Sequence, residues 1–334
     1  MTIIYAVIMF CILIFVHELG HFIVAKACGV KVNEFALGMG PAIFKKQKGE
    51  TLYALRAIPI GGYCAMEGED EDSEDERAFN KKNAWQKAAI VVAGAAMNVL
   101  LCLVIMIGIS IYSGTPNTTI GDLTPGAPAE AAGLLAGDEI VEIDDTQISE
   151  WTDITDAITG AEDNVSVTVN RDGQLLTYEM ETIEQDGRLI IGIMPGRDRN
   201  IVQGVADGFK ATCEMTTIMI DSFRMLFSGE VGVEELSGPV GIVYVVNDTA
   251  KMGLIYVFYF TALISMNLAI VNMFPLPALD GGRLIFIIIR KITGQAITDE
   301  IEGKVHFIGI MLLLALMLYV TWNDIIRFIV PIFQ

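Results

Sequence analysis

The sequence contains few histidines, few cysteines and little charge. Its 334 residues include 3 His and 5 Cys, 19% are charged, and 41 Asp and Glu stand against 22 Lys and Arg. The cysteines form no C-x-x-C pair, which argues against a disulfide framework and against a zinc site built from thiolates. The net charge of −19 makes nucleic acid an unfavourable partner, so no nucleic-acid binding is expected.

Long apolar runs are abundant instead, since 53% of the residues are hydrophobic. Four segments, near 3–27, 88–112, 254–290 (interrupted) and 305–330, are each long enough to cross about 30 Å of hydrocarbon as a helix. No Lys or Arg precedes Lys26 and no small-x-small cleavage site follows, so the first segment is predicted to be a retained span rather than a signal peptide. The sequence therefore predicts a multi-pass α-helical membrane protein.

Basic residues predict the orientation of the spans. Ten Lys and Arg lie in 26–87 and four in 283–304, whereas the longer stretch 113–253 holds only seven. Positively charged loops stay on the cytoplasmic side of a membrane. We therefore expect loops 28–87 and 291–304 to be cytoplasmic in the cell membrane, and the N-terminus, the polar insert and the C-terminus to be extracytoplasmic.

The segment after the first span alternates short β-prone runs with Gly and Pro. Residues 30–65 are predicted to form strands and tight turns, and they are too apolar in places for an ordinary cytoplasmic loop. The stretch 67–77 follows, with eight acidic residues in eleven. Such a run is expected to be a solvated, mobile linker.

The polar insert 113–196 has the pattern of a small α/β domain. The sequence predicts a short helix ended by Gly133, a helix at "WTDITDAITG", a hairpin closed at Asp172-Gly173 and a final strand "RLIIGI". This order, with "GLLAGDEIVEIDD" at its centre, resembles a PDZ domain of the bacterial, circularly permuted kind. In that family the last strand, here Ile190 to Ile193, supplies the edge that grips an extended peptide.

Four regions result from this pattern. Residues 201–227, within the third of them, have apolar residues at helical spacing, which indicates an amphipathic helix lying against the membrane or packed on the soluble domain. The regions are 1–112 (spans 1 and 2 with the β-element), 113–196 (PDZ-like domain), 197–253 (amphipathic connection) and 254–334 (spans 3 and 4).

The motif "HELGH" places ionisable residues inside the first span. His17 and His21 are four apart, so their imidazoles share one helix face and could bind a single ion. Glu18 borders that face and could take a proton from a water that Zn²⁺ has acidified. The alternative is a His–Glu pair that satisfies itself within a helix bundle, but charges inside a membrane are costly and usually functional.

A catalytic zinc site normally has a third protein ligand. His306 is one candidate, although its place beside a basic loop suggests an interfacial or core residue. Asp280 in "NMFPLPALDGGR" is the better candidate, because Pro275 and Pro277 break the helix and Gly281-Gly282 allow unusual dihedrals. Broken backbone at membrane depth occurs where it is buried in protein or lines a cavity. A Pro-Gly turn that merely ends a span is the alternative.

Depth supports a meeting of the two motifs. A helix entering from outside reaches His17 after about 21 Å, and the third segment reaches Phe274 after about 30 Å, at 1.5 Å per residue. Both positions lie towards the cytoplasmic side of a core about 30 Å thick. We therefore expect "HELGH" and "LDGG" to come together.

With these motifs the chain resembles the site-2 proteases, the intramembrane zinc metalloproteases, and within them the bacterial regulator-of-sigma-E branch with one PDZ domain. "HELGH" and "NMFPLPALDGG" match the two metal motifs of that family, and "FALGMGP", "AIPIGGYCAMEGE" and "GPVGI" match further stretches. The chain departs from the family at Asn83 and Ala95, where the family often has Pro. These positions lie outside the metal motifs.

The resemblance implies a zinc endopeptidase that cleaves transmembrane segments of single-pass membrane proteins. Such substrates are usually trimmed first by another protease, and examples are anti-sigma factors and remnant signal peptides. His17, His21 and Asp280 would bind Zn²⁺, Glu18 would be the catalytic base, Asn272 would lie near the substrate, and residues 30–65 would dip into the membrane.

The β-element also has a physical reason, because an unwound substrate could pair with a strand beside the metal. Gly61 and Gly62 would let the two backbones approach closely. Two other function classes remain as alternatives. A non-catalytic PDZ adaptor is expected to have an eroded metal site, and a metal or ion transporter is expected to have paired broken helices, of which the sequence has one.

Overall fold

The computed structural model describes residues 2–69, 73–161, 164–185, 187–294 and 299–330. It divides into two compact units. The first comprises Met1–Met106 and Lys210–Gln334, and the second comprises Ile107–Phe209. The polar insert 113–196 lies within the second unit.

Four of the helices are long and apolar enough to cross a membrane, which confirms the predicted number of spans. They are α1, α2, α7 and α9 of the following set. The helices of the described residues are α1 (Thr2–Ala27), α2 (Ala84–Ser113), α3 (Pro128–Ala132), α4 (Trp151–Gly160), α5 (Ile201–Ser228), α6 (Pro239–Met252), α7 (Leu254–Asn272), α8 (Asp280–Thr293) and α9 (Asp299–Asp324). The chain is a membrane protein that also contains β-sheets.

A long antiparallel hairpin follows α1. Strand β1 (Val32–Lys48) pairs with β2 (Thr51–Met66), and residues 34–37 of β1 each have two partners in β2, one in 52–55 and one in 62–65. The start of β1 and the end of β2 are buried against the end of α1, where Val32, Phe35 and Cys64 pack with Ala25. The middle of the pair, 39–44 and 55–58, carries exposed apolar side chains, with Phe44 61% exposed. The predicted strands are confirmed, and their insertion into the membrane stays a prediction.

The polar insert forms an antiparallel sheet with α3 and α4 packed on its core. Helix α3 ends at Gly133, whose φ of 96° is left-handed, and Asp172 and Gly173 turn the hairpin with φ of 52° and 85°. These predictions are confirmed. The sheet order is β10-β3-β4-β6-β7 with β5 beside β4, and β8 and β9 form a separate pair. The strands are β3 (Thr115–Leu123), β4 (Glu139–Ile143), β5 (Thr146–Gln147), β6 (Asn164–Arg171), β7 (Gln174–Glu181), β8 (Ile183–Gln185), β9 (Arg188–Ile190) and β10 (Ile193–Asp198).

The predicted final strand "RLIIGI" is divided. Its first part, β9, pairs with β8, and its continuation β10 pairs with β3. Between them the carbonyls of Ile191 and Gly192 accept hydrogen bonds from Ala129 and Thr124. The left-handed φ of 83° at Gly192 redirects the chain there, so one continuous strand is wrong.

An ion pair between buried Asp138 and partly exposed Arg171 fixes the loop after α3. Arg171 Nε donates to Asp138 Oδ1 at 2.6 Å and its Nη2 donates to Oδ2 at 2.7 Å, while the Leu135 amide donates to the same carboxylate. The Arg171 guanidinium keeps the pKa of Asp138 below its usual value. The segment "GLLAGDEI" is therefore held by a bidentate charge-assisted contact.

Helix α5 packs on the spans. Met215 lies on Cys102 of α2 with a sulfur–sulfur distance of 3.7 Å, and Phe223 meets Phe274 with ring centroids 4.9 Å apart. The predicted helix over 201–227 is confirmed, and its place against the membrane stays a prediction. Its second half belongs to the first unit.

Helix α6 was not predicted, because its start "PVGIVYVV" is rich in β-branched residues and resembles a strand. Val246 is buried against Ala6, Met9 and Leu13 of α1. The carboxylate of Asp324, at the end of α9, accepts hydrogen bonds from the amides of Gly238 and Gly241 at 3.2 and 2.8 Å. These amides start α6, so a side chain from α9 caps it.

The acidic stretch 67–77 is not a bare linker in its described part. Glu67 accepts hydrogen bonds from Ser73 at 2.6 Å, Asn33 at 2.9 Å and Lys31 at 3.1 Å, and these contacts lower its pKa to about 2. The expectation of a solvated run is therefore wrong for Glu67, because basic and polar groups at the hairpin base face it. Residues 70–72 lie outside the described residues.

Candidate metal centre

The two histidines of α1 converge at one point. Because 3.6 residues complete a turn, residues four apart lie one above the other, and His17 and His21 have their Nε2 atoms 3.2 Å apart. His21 Nδ1 lies 2.8 Å from the carbonyl oxygen of Ile90 on α2. A carbonyl accepts only, so Nδ1 carries the proton and Nε2 offers a lone pair. His21 is thus oriented as a metal ligand would be.

Asp280 completes the cluster from the other half of the chain. It is the first residue of α8, and its Oδ2 lies 3.3 Å from His17 Nε2 and 3.4 Å from His21 Nε2. This oxygen is buried and has no hydrogen-bond partner. A buried carboxylate oxygen without a partner is costly unless something else occupies that place.

The three distances match the spacing that a tetrahedral ion requires. Ligand atoms about 2.0–2.1 Å from Zn²⁺ lie about 3.3–3.4 Å from each other. The triangle of two imidazole nitrogens and one carboxylate oxygen has sides of 3.2, 3.3 and 3.4 Å. Within the described residues, this is the group of His, Cys, Asp and Glu side chains that could hold a metal. The residues fit zinc in spacing and in chemistry.

Glycines bring α2 against this face of α1. A Cβ atom at Gly94 would collide with His21 Nε2 and lie 2.7 Å from His17 Cε1, and one at Gly20 would collide with the Ala93 carbonyl. The absence of side chains at both positions therefore lets the helices approach closely and leaves room at the cluster. Gly94 borders the place where a metal would lie.

Asn98 on α2 stands beside the other histidine. It is fully buried, and its side-chain amide nitrogen lies 3.4 Å from His17 Nδ1. The two ends of an amide exchange by rotation, and the oxygen in that place would accept the Nδ1 proton of a His17 that binds through Nε2. Its backbone carbonyl is fixed by Ser265 Oγ at 2.8 Å.

The segment between α7 and α8 carries Asp280 into place. Helix α7 ends at Asn272, before Pro275 and Pro277, which cannot continue it. The left-handed residue of the segment is Ala278, with φ of 76°. The expectation of unusual dihedrals at Gly281 and Gly282 is wrong.

Those two glycines have another role. They lie in the first turn of α8 without positive φ, and Cβ atoms there would collide with the backbone oxygens of residues 273, 274 and 276. They are needed for close approach of the chain to itself. Glycine is required at both positions because no side chain fits there, and not because the backbone conformation is unusual.

Of the other predicted residues, Glu18 lies at the cluster and Gly62 lies next to Glu18. Glu18 is near enough to His17, His21 and Asp280 to interact electrostatically with all three, and it also interacts with the backbone of Cys64 on β2. A Cβ atom at Gly62 would lie 3.2 Å from the Glu18 side chain, so the hairpin passes directly beside it. Gly61 has a φ of 82° and faces Met39, and Asn272 is the last residue of α7.

Gly94 and Asn98 were not predicted to lie at the cluster. The sequence does indicate a role for Asn98, because a lone amide in a 30-residue apolar helix needs a polar partner. Nothing in the sequence periodicity indicates a role for Gly94, since that role depends on which helix packs on α1.

Comparison with known proteins places the chain. The model of peptidase family M50 matches residues 5–316. The chain belongs to family M50. A predicted zinc metalloprotease of Clostridium perfringens is 37% identical over 331 residues, covering 98% of this chain and 99% of the relative.

Two M50 relatives have more informative names. The regulator of sigma-W protease RasP of Bacillus subtilis is 32% identical over 98% of both chains. The zinc metalloprotease RasP of Geobacillus kaustophilus is 30% identical over 98% of both. As an M50 member, the chain is a membrane-embedded zinc metalloprotease of the site-2 protease type.

Proposed function

We propose that His17, His21 and Asp280 hold the zinc and that Glu18 is the general base. The observation that carries this assignment is the triangle of Nε2, Nε2 and Oδ2 atoms with sides of 3.2–3.4 Å. The partnerless Oδ2 of Asp280 supports it, because a cation at the centre satisfies that atom.

The chemistry is hydrolysis of a peptide bond. Zn²⁺ held by these residues would act as a Lewis acid that polarises the carbonyl and acidifies the attacking water. Glu18 takes a proton from the water as its oxygen bonds to the carbonyl carbon, and then delivers that proton to the leaving nitrogen as the C–N bond breaks. Ile90 holds His21 in the tautomer that this arrangement needs.

The substrates are transmembrane segments of single-pass membrane proteins. A helix hides its carbonyls in internal hydrogen bonds, so the segment must unwind before cleavage. The hairpin beside Glu18 offers a strand for the unwound segment to pair with, and Gly62 lies next to Glu18 on that strand, with Gly61 before it. Asn272, at the end of α7, is proposed as a further substrate contact. Remnants left by an earlier protease, including anti-sigma factors and signal peptides, fit this class, and the name of RasP refers to sigma-W regulation.

The topology follows the basic residues. Loops 28–87 and 291–304 are cytoplasmic, and the N-terminus, the insert and the C-terminus are extracytoplasmic. Residues 295–298 of the second loop lie outside the described residues. A reporter fused after Lys46 should then be cytoplasmic and one inserted near Gly173 external, and the opposite result reverses the orientation.

The insert 113–196 is a PDZ-like domain that filters substrates by size. It contains seventeen Asp and Glu against Arg171 and Arg188, and such a field repels acidic peptide tails over about 8–10 Å. Acidity that only keeps the domain soluble is the alternative. Deleting residues 120–193 tests the filter. The deletion variant should newly cleave a full-length substrate and should still cleave a trimmed one. Loss of the trimmed substrate without that gain indicates recruitment instead.

The function itself is tested with purified protein in detergent and a panel of transmembrane peptides. Wild type should bind zinc and cleave within apolar segments, whereas Glu18→Gln should keep its zinc and lose about 100- to 10,000-fold in rate. Undiminished cleavage by Glu18→Gln contradicts the mechanism. Zinc binding without cleavage of any peptide by wild type favours an adaptor or a transporter.

A further inference from the structure

The segment that carries Asp280 is held in an unfavourable conformation. Ala278, two residues before the aspartate, has a φ of 76°. A residue with a Cβ atom is strained in the left-handed region and persists there only when its surroundings hold it. Its backbone N–H belongs to neither neighbouring helix, since α7 ends at Asn272 and α8 begins at Asp280.

His306 supplies the missing acceptor. The Ala278 amide donates to His306 Nδ1 at 2.8 Å, across a separation of 28 residues. His306 lies on α9, and one turn farther along the same helix Gly309 faces Pro277 so closely that a Cβ atom there would lie 2.5 Å from the Pro277 Cβ. Helix α9 therefore contacts the segment at two consecutive residues, Pro277 and Ala278.

The imidazole has a carboxylate and an aromatic ring as further neighbours. Its Nε2 lies 3.7 Å from Glu302 Oε1, and the other oxygen of Glu302 binds Arg290 Nη2 at 2.6 Å. The Phe286 ring of α8 lies against it, with ring centroids 5.5 Å apart. An Nδ1 that accepts requires the proton to be on Nε2, the atom that faces the carboxylate.

We propose that His306 is a positioning residue, which holds Ala278 in its left-handed conformation and thereby places Asp280 Oδ2 at the metal. His306 does not touch the histidines or the reacting atoms, and acts only through the backbone. The inference rests on the proposed assignment of Asp280 as a zinc ligand. Residues that orient metal ligands typically affect metal affinity 10- to 100-fold when they are changed.

Two polar substitutions of similar character test this geometry. Asn places its amide oxygen at the position of His Nδ1, whereas Gln places its amide one bond farther, near the position of Nε2. His306→Asn should therefore keep zinc affinity within about threefold of wild type, and His306→Gln should weaken it by about tenfold or more. Phe307→Leu, at a neighbouring side chain that is 62% exposed, is the control and should change nothing.

Zinc affinity is measured by competition with a chelator, and the visible spectrum of the Co²⁺-loaded protein reports the ligand geometry independently of activity. The Co²⁺ spectrum of His306→Asn should match wild type and that of His306→Gln should shift. Equal affinities and spectra for both variants overturn the inference, whether both match wild type or both fall together.

Asp280→Asn in the same assay distinguishes a failure of the proposed zinc ligand set from a failure of the proposed role of His306. If it binds zinc like wild type, the proposed ligand set fails. If it loses zinc while His306→Gln does not, the ligand set stands and only the role of His306 fails.

Discussion

The two segments that form the proposed metal centre are built by different means. His17 and His21 stand on an uninterrupted helix, where the repeat of the backbone alone brings them to one face. Asp280 follows a segment with two prolines and a left-handed alanine, and that conformation depends on α9. Local periodicity therefore defines the part of the site on α1, the helix half. Contacts distant in sequence define the part that carries Asp280, the loop half.

The difference extends to the groups around each half. On α2, the Ile90 carbonyl faces His21, the Asn98 amide faces His17, and Gly94 leaves room because it has no side chain. The aspartate needs close approach at Gly281, Gly282 and Gly309. Substitutions in the two halves should therefore have different effects on zinc affinity.

The largest effect is expected at Gly94, where the helix half meets its neighbour. In Gly94→Ala the methyl group would overlap His21 Nε2, so either the histidine or the metal must leave. Zinc affinity should fall by at least about 100-fold, because both first ligands are disturbed. Gly108→Ala on the same helix has nothing within 4 Å and should keep its zinc. Full occupancy in Gly94→Ala would contradict the placement of the metal between α1 and α2.

The next largest effect on zinc affinity is expected when the charge of Asp280 is removed. Asp280→Asn keeps the shape of the side chain but leaves a weaker, neutral ligand, so zinc affinity should drop by about 10- to 100-fold and cleavage with it. Asp221→Asn, an exposed carboxylate on α5, is the matched control. Metal content is measured after dialysis against a chelator, and unchanged content removes Asp280 from the ligand set.

A smaller effect is expected where α9 supports the loop. In Gly309→Ala the new methyl group must displace Pro277, which moves Asp280 but leaves the histidines of α1 untouched. We expect zinc affinity to weaken by about tenfold. Gly303→Ala, with open space around it on the same helix, should have no effect. A loss as severe as that of Gly94→Ala would mean that the two halves do not differ in their support.

The smallest effect is expected at Asn98. In Asn98→Ala, His17 keeps its place on α1 and loses only the amide that orients Nδ1. Zinc affinity should fall by no more than about tenfold, with the melting temperature of the protein compared in parallel. A larger loss than in Gly309→Ala would show that the helix half depends on its neighbours as strongly as the loop half does.

The same contrast explains what could be predicted from the sequence. Four spans, the hairpin, the turn at Asp172-Gly173 and the helix end at Gly133 follow from runs, periods and turn residues that act locally. Helix α6 and the division of the last strand of the insert depend on packing and on distant caps, which a single sequence does not display.

For the metal centre, the residues of "HELGH" and "LDGG" could be chosen from their chemistry and depth. The role of His306 could not, because the amide that it accepts belongs to Ala278. Any residue has such an amide, so nothing in the residue type indicates the contact. Backbone strain at Ala278 is likewise invisible until the conformation is known.

The central claim is that two distant segments of the chain share one zinc ion. Zinc K-edge X-ray absorption of the detergent-purified Glu18→Gln protein tests this most directly, because the base is removed and the ligands remain. A zinc ion shared by the two segments predicts two imidazoles and a shell of oxygen ligands at about 2.0–2.1 Å. It also predicts one oxygen ligand fewer, or a changed shell, when Asp280→Ala is added. A sulfur shell at about 2.3 Å, or a spectrum that Asp280→Ala leaves unchanged, would contradict it.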